Sequence, residues 1–176
     1  MSSKLKHLIS WFICILLLMS MVWLFLMIIR GPKVAFMADY NIRFKDCPST
    51  ISRKMHLDLG IPKELLESGE TVYNVETDVF GVKSTVSFYF LGGSQLYKVF
   101  IKMPMNDSAQ IETTFQEIIA LIETAYKNNS NYCKSNAKYK NEYDISINIP
   151  VSGATSISYS IDVTNGVLTI SSSYYW

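Results

Sequence analysis

The feature that most constrains this chain is an uncharged apolar run near its start, LISWFICILLLMSMVWLFLMII, from Leu8 to Ile29. A helix of these 22 residues would be about 33 Å long, enough to cross a bilayer core of about 30 Å. Basic residues flank the run on both sides. The sequence therefore predicts a transmembrane helix at 8–29, preceded by a short N-terminal tail at 1–7.

The apolar run is typical of an uncleaved signal anchor, because the core of a cleaved signal peptide has only about 7–15 apolar residues. Cleavage after Ala35 or Ala38 would place Lys33 or Phe36 where a small residue is needed. The flanking charges alone would favour a cytoplasmic domain, but long domains are exported largely regardless of charge. We expect a single-pass protein of the inner (plasma) membrane, with its C-terminal domain in the periplasm or extracellular space.

Two cysteines lie beyond the apolar run, Cys47 and Cys133. They are compatible with one disulfide in an oxidising compartment, and the alternative is two unrelated buried thiols. Residues 30–48 are interpreted as a linker, and residues 49–176 as the extracytoplasmic domain. All 15 acidic residues but only 12 of the 16 basic ones lie from Asp39 onward, so this part is formally −3. That slight acidity argues against a nucleic-acid surface and against a membrane-binding patch.

The first part of the domain gives mixed signals. Ile51 to Leu59 alternates between apolar and polar residues, which predicts a strand. Ile61 to Ser68 is expected to form a short helix, since Pro62 suits its first position and Gly69 follows its end. Thr71 to Phe80 is predicted to be a strand.

The middle of the chain is easier to interpret. Gly92-Gly93-Ser94 separates two strand-like segments, Thr85–Leu91 and Gln95–Met103, which predicts a β-hairpin. Both segments are apolar on both faces, as central strands are. A helix is predicted next, capped by Asp107. Its apolar residues recur at helical spacing; they are Ile111, Phe115, Ile118, Ile122 and Tyr126.

The last third alternates in three segments, which begin near Tyr143, Ile157 and Leu168 and follow a predicted loop at 127–141. Asn165-Gly166 suits a tight turn. The whole pattern predicts an α+β fold. One N-terminal transmembrane helix is followed by a small domain, whose antiparallel β-sheet is covered on one face by an amphipathic helix.

No catalytic or metal-binding motif is visible in the sequence, because it lacks HExxH, CxxC, GxSxG and a P-loop. We therefore expect no enzyme activity, no metal and no cofactor. A hydroxyl-rich sheet face could instead admit a flat protein partner, although most such faces are merely solvated. The C-terminal aromatic residues either anchor a partner or pack in the core. The candidate partner-binding residues are Ser158, Ser160, Thr169, Ser171, Tyr174, Tyr175 and Trp176.

These features predict a single-pass, membrane-anchored protein-binding module that acts in the cell envelope. The most concrete version is an immunity protein that neutralises an envelope-targeting toxin, because the domain is small, tethered and without catalytic residues. The alternative is an accessory or assembly subunit of an envelope machine, such as a secretion or conjugation apparatus. The expected partners are the membrane and another protein, and not nucleic acid.

Overall fold

The structure, a computed structural model, describes residues 3–29, 31–65, 69–105, 107–128, 138–141, 144–152 and 155–175. The chain forms two compact units, Met1–Gly31 and Pro32–Trp176.

The first unit contains a single described helix, α1 (Ser3–Ile29), of 27 residues. Its described side chains, from Ile9 to Trp23, are exposed. Among the described residues, no helix is both long enough and apolar enough to cross a membrane. A membrane span at 8–29 therefore remains a prediction from the sequence.

The second unit contains short helices, one long helix and one sheet. In chain order its elements are a 3-10 helix at Ala35–Tyr40, α2 (Pro48–Met55), β1 (Lys63–Leu65), β2 (Glu70–Val79), β3 (Val82–Leu91), β4 (Gln95–Pro104), α3 (Ser108–Tyr126), β5 (Lys138–Asn141), β6 (Asp144–Ser152), β7 (Thr155–Thr164) and β8 (Val167–Tyr175). This composition confirms the α+β class.

The strands form one antiparallel sheet of eight strands in the order β1-β2-β3-β4-β8-β7-β6-β5. The predicted hairpin is confirmed as β3 and β4, and the predicted C-terminal strands as β6, β7 and β8. β4 and β8 lie at the centre, as expected for a strand like β4 that is apolar on both faces. They pair although most of the domain's second half separates them in the sequence.

One face of the sheet forms the core. On β3 it contributes Val86, Phe88 and Phe90. The register aligns all three with apolar residues of β4, and the first two also with apolar residues of β2. α3 covers this face, and its buried side chains belong to the same core cluster as those of the strands. The Asp107 side chain accepts a hydrogen bond from the Ala109 N–H at 3.0 Å, which confirms the predicted cap.

The strand predicted at 51–59 is wrong, because residues 48–55 form α2. Ile51 and Met55 are both buried and lie four residues apart, the spacing of one helical face. Arg53, which the alternation would have placed on the apolar side, is exposed. Pro48 occupies the first turn of α2, where its missing N–H costs nothing.

The helix predicted at 61–68 is also wrong over its described part, because Lys63–Leu65 form β1; residues 66–68 lie outside the described residues. Ile61, the first residue of the predicted helix, is 95% exposed and so adds no buried packing to it. A helix this short is stable only when tertiary packing supports it. The segment instead pairs with the start of β2.

The linker predicted at 30–48 is wrong for most of its length, because residues 34–44 supply core side chains. Val34, Ile42 and Phe44 are fully buried. Backbone hydrogen bonds hold the segment in a closed loop, from the Val34 N–H to the Ile42 carbonyl and from the Phe44 N–H to the Pro32 carbonyl. The domain therefore begins at Pro32 rather than at residue 49, and we call residues 32–46 the N-terminal strap.

The loop predicted at 127–141 is wrong at its end, because Lys138–Asn141 form β5 and pair with β6. The polar composition of this segment did not indicate a strand, because an edge strand has few buried positions and so needs few apolar residues. Residues 129–137 lie outside the described residues.

If the N-terminal strap is part of the core, Phe44→Ala should lower the free energy of unfolding by about 3–5 kcal/mol. Phe44 is fully buried and stacks on Tyr174 with ring centroids 5.5 Å apart. Asp39→Ala, at an exposed position of the same strap, is the control and should change it by less than about 0.5 kcal/mol. Urea unfolding followed by circular dichroism of the sheet measures both, and equal effects would contradict this role of the strap.

Candidate functional site: the open face of the sheet

Within the second unit, the buried side chains of α2 and α3 belong to the core cluster on one face of the sheet, and we call the opposite face the open face. Alternate residues of each strand point to opposite faces, and the register aligns these residues between neighbouring strands. Together they determine which side chains lie on the open face. On β7 and β8 the core face has Ile157, Tyr159 and Ile170, and the open face has the residues between them. The same alternation continues across β6 on one side and β4 on the other.

Small hydroxyl side chains form most of the open face on β6, β7 and β8, together with Asn148 and Asp162. Ser160 lies opposite Ser171 on one side and Ser146 on the other, and Ser158 lies opposite Ser173. We call this patch the hydroxyl platform; it comprises Ser146, Ser156, Ser158, Ser160, Thr169, Ser171 and Ser173. The structure thus brings four residues predicted from the sequence onto one surface: Ser158, Ser160, Thr169 and Ser171.

A ridge of larger side chains borders the hydroxyl platform on β3 and β4. The Lys98 Nζ lies 5.0 Å from the centre of the Tyr89 ring, and the Lys102 Nζ lies 5.6 Å from that of Phe100. These distances allow cation–π attraction, which holds each lysine over a ring. We call these four residues the aromatic ridge. Phe100 lies directly opposite Ser171, so ridge and platform are contiguous.

Tyr97 lies at the irregularity of β4, where the register with β3 shifts. Its hydroxyl donates a hydrogen bond to the Glu70 carboxylate. Burial and this bond raise the pKa of Tyr97 above its ordinary value, because both disfavour a second negative charge beside Glu70. Burial likewise raises the pKa of Tyr89. The phenols of this region are therefore neutral hydrogen-bonding groups at physiological pH.

The two described C-terminal aromatic residues, Tyr174 and Tyr175, lie on opposite faces of the sheet. Tyr174 belongs to the core face, where it is 7% exposed and stacks on Phe44. Of the two alternatives for the C-terminal aromatic residues, Tyr174 thus follows core packing, because the strand alternation turns it inward. Tyr175 is 56% exposed on the open face, beside the hydroxyl platform. Trp176 lies outside the described residues.

Cys47 precedes α2 as its N-terminal cap residue and is a free thiol. Its Sγ lies 3.2 Å from both the Ser49 Oγ and the Thr50 Oγ1. These hydrogen bonds lower the pKa of the Cys47 thiol to about 7, since they stabilise the thiolate. Cys133 lies outside the described residues, so the predicted disulfide remains a prediction.

Sequence reasoning missed a buried pair of tyrosines. The hydroxyls of Tyr126 and Tyr159 lie 3.0 Å apart, and that of Tyr126 donates to the Lys33 carbonyl at 3.0 Å. Burial raises the pKa of Tyr159 to about 12 and also raises the pKa of Tyr126, so both hydroxyls stay protonated. Both residues stood in apolar stripes, which did not indicate that their hydroxyls would meet. The pair ties α3 and β7 to the N-terminal strap.

A hollow of about 410 Å³ lies where the strap, the β2–β3 turn and α3 meet. Three carboxylates line it, Asp39, Asp78 and Glu117, beside aromatic walls that include Tyr40 and Phe80. Within the described part of the chain, no group of histidine, cysteine or carboxylate side chains is arranged to hold a metal ion. The hollow is open, acidic and remote in the sheet order from the hydroxyl platform.

Comparison with known proteins identified no matching family model, no similar curated protein and no similar solved structure.

If the two hydroxyls activate Cys47, its alkylation rate should reach half its maximum near pH 7, instead of near the ordinary thiol value of about 8.5. The thiolate is the reactive form, so it predominates above the pKa. A Cys14→Ser, Cys133→Ser background isolates the Cys47 signal. Adding Ser49→Ala and Thr50→Val should move the midpoint up by about one to two pH units. An unchanged midpoint would show that these hydroxyls do not stabilise the thiolate.

Proposed function

We propose that this protein is a membrane-anchored protein-binding module of the cell envelope that recognises its partner with the open sheet face. The observation that carries this proposal is the contiguity of the hydroxyl platform and the aromatic ridge on the sheet face opposite α3 and the core. Small polar side chains beside aromatic ones suit a protein interface, in which aromatic anchors supply binding energy and polar residues surround them.

The geometry of this face favours a macromolecule over a small ligand. Small molecules bind in concave sites that enclose most of their surface. The hydroxyl platform has short side chains and lies on a single sheet layer, so it offers a broad surface without a deep pocket. Phe100, Tyr89 and Tyr175 stand at its border, where they could insert into a complementary surface.

Membrane anchoring is supported by the amino-acid run and by the exposure of its side chains. Leu8 to Ile29 has no charged residue, and Trp11, Met21 and Leu18 are 72%, 68% and 63% exposed on α1. Soluble monomers rarely expose an apolar patch of more than a few hundred Å². Moving this surface from water into lipid is favourable by about 25 cal/mol for each Å². The most specific version of the proposal is an immunity protein against an envelope-targeting toxin.

The proposed topology predicts the labelling of Cys47 and Cys133 by a membrane-impermeant maleimide in intact cells. Cys47 should react without a reductant, because it is a free thiol in the structure. Reaction only after addition of a reductant would instead reveal the disulfide predicted from the sequence. Labelling without reductant would place the domain outside but exclude the disulfide. Labelling only after the membrane is broken would place the domain in the cytoplasm and contradict the proposed location.

The proposed surface predicts a specific photo-cross-link. With p-benzoylphenylalanine in place of Ser160, irradiated cells should yield one discrete adduct, whereas the same replacement of exposed Ser108 on α3 should yield none. Adding Ser171→Arg should reduce the adduct about tenfold, since its long charged side chain would fill the platform. Mass spectrometry of the adduct separates a toxin from a subunit of an envelope machine. Absence of an adduct at position 160 would contradict the proposal.

A further inference from the structure

The edge of the sheet at β2 is only partly covered. β2 spans ten residues, Glu70–Val79, but β1 pairs with only the first three of them, Glu70 to Val72. Beyond Val72, no described segment forms backbone hydrogen bonds with this side of β2. Residues 73–79 thus present a strand edge about 23 Å long, at about 3.3 Å per residue.

The backbone groups on this edge can be assigned from the hairpin that β2 forms with β3. Val79 pairs with Val82 across the two-residue turn Phe80-Gly81, in which both residues have positive φ. The two residues that flank such a turn exchange backbone hydrogen bonds with each other. Along the strand, the backbone groups of successive residues then point alternately toward the partner strand and away from it. The N–H and C=O groups of Asn74, Glu76 and Asp78 therefore point away from β3. All three residues are exposed.

The side chains at this edge are acidic. Glu76 and Asp78 lie on the open face, directly beside the free backbone groups. Asp78 also lines the acidic hollow at the end of β2, together with Asp39 and Glu117. Four carboxylates thus lie around one end of a strand that can accept backbone hydrogen bonds. Lys83 of β3 lies opposite Asp78, so these five side chains together carry a formal charge of about −3. A strand placed against it would have side chains about 5 Å from those of Glu76 and Asp78.

This charge pattern disfavours a second copy of the chain as the occupant. Two β2 edges that pair antiparallel about Glu76 would place Glu76 opposite its own copy. Like charges directly opposite each other destabilise a strand pair. A strand with basic residues at alternate positions would instead gain both backbone and charge complementarity.

We propose that the uncovered edge of β2 from Asn74 to Asp78 binds an extended segment of another protein as an added antiparallel strand, with lysine or arginine at alternate positions facing Glu76 and Asp78. Strand addition draws affinity from the main chain and specificity from alternate side chains. Charged residues on a free edge also prevent indiscriminate pairing. The same carboxylates that repel an acidic strand attract a basic one, so they select among strands.

The experiment uses the full chain in nanodiscs of zwitterionic lipid and a fluorescent heptapeptide that alternates threonine and lysine, with binding measured by anisotropy. Methylation of the lysine backbone nitrogens should abolish binding, because these nitrogens would donate to the edge. Methylation of the threonine nitrogens, which would face solvent, should leave it unchanged. Both methylated peptides carry the same charge, so the comparison separates strand addition from simple electrostatic attraction.

Charge complementarity is tested by reversing the two edge carboxylates. Glu76→Lys with Asp78→Lys should weaken binding of the lysine peptide about tenfold and allow an alternating threonine–glutamate peptide to bind. The matched control is Glu112→Lys with Asp162→Lys, which changes the net charge equally on α3 and on distant β7. It should leave the affinity within about twofold. Binding to empty nanodiscs is subtracted.

Several results would overturn the proposal. They are no binding at about 1 mM peptide, equal binding of the two methylated peptides, or equal binding of a peptide with its lysines in one block. A disulfide between two Glu76→Cys copies in a Cys14→Ser, Cys47→Ser, Cys133→Ser background would assign the edge to self-association instead. Ser160→Arg should leave peptide binding intact, because β3, β4 and β8 separate β7 from β2. Failure at the edge and failure at the hydroxyl platform are thus distinguishable.

Discussion

The pairing of β4 with β8 is the interaction on which the rest of this domain depends. It joins β1–β4, which are consecutive in the sequence, to the C-terminal strands β5–β8. Val99 lies opposite Ser172, Ile101 opposite Ile170, and Met103 opposite Leu168. Past the end of β4, the Met105 N–H donates to the Gly166 carbonyl at 2.7 Å. A Cβ at Gly166 would lie 3.1 Å from the Met105 carbonyl oxygen, and its φ is +74°, so this close approach favours glycine.

That central pairing has a cost in loop closure, because α3 and three strands intervene between its partners. Non-local strand pairing must overcome this entropy before its contacts stabilise the fold. The two-residue turns at Phe80-Gly81 and Asn165-Gly166 fix the register of their hairpins. They therefore reduce the number of strand arrangements that the chain must sample before β4 and β8 pair. The core then forms on one face only, because α3 and the N-terminal strap occupy that face. An open face opposite them follows directly from this single-sided packing.

The sequence predicted the parts of the fold in which residue pattern and environment agree. β3, β4, β7, β8 and α3 have long alternating or helical runs, and two clear turns and a capping aspartate mark their ends. The errors fall where patterns are short. Ile51 and Met55 satisfy a strand or a helix equally well, and burial against the core decides for α2. The prediction for the N-terminal strap was wrong for another reason. Gly31-Pro32 indicated a linker, whereas Ile42 and Phe44 are buried by residues distant in the sequence, which no local pattern specifies.

Because local patterns do not reveal long-range strand pairing, the sequence predicted only part of the candidate surfaces. Ser158, Ser160, Thr169 and Ser171 could be placed on one face from alternation alone, since adjacent strands pleat in phase. Their junction with the aromatic ridge depends on β4 pairing with β8, which no local signal reveals. The edge of β2 is less visible still, because it depends on how few residues β1 covers. The two proposals therefore use different parts of the sheet: side chains on the open face and main-chain groups at the edge of β2. Because β3 and β4, which carry the aromatic ridge, lie between the hydroxyl platform and β2, a single partner that covers the ridge would reach both the platform and the edge.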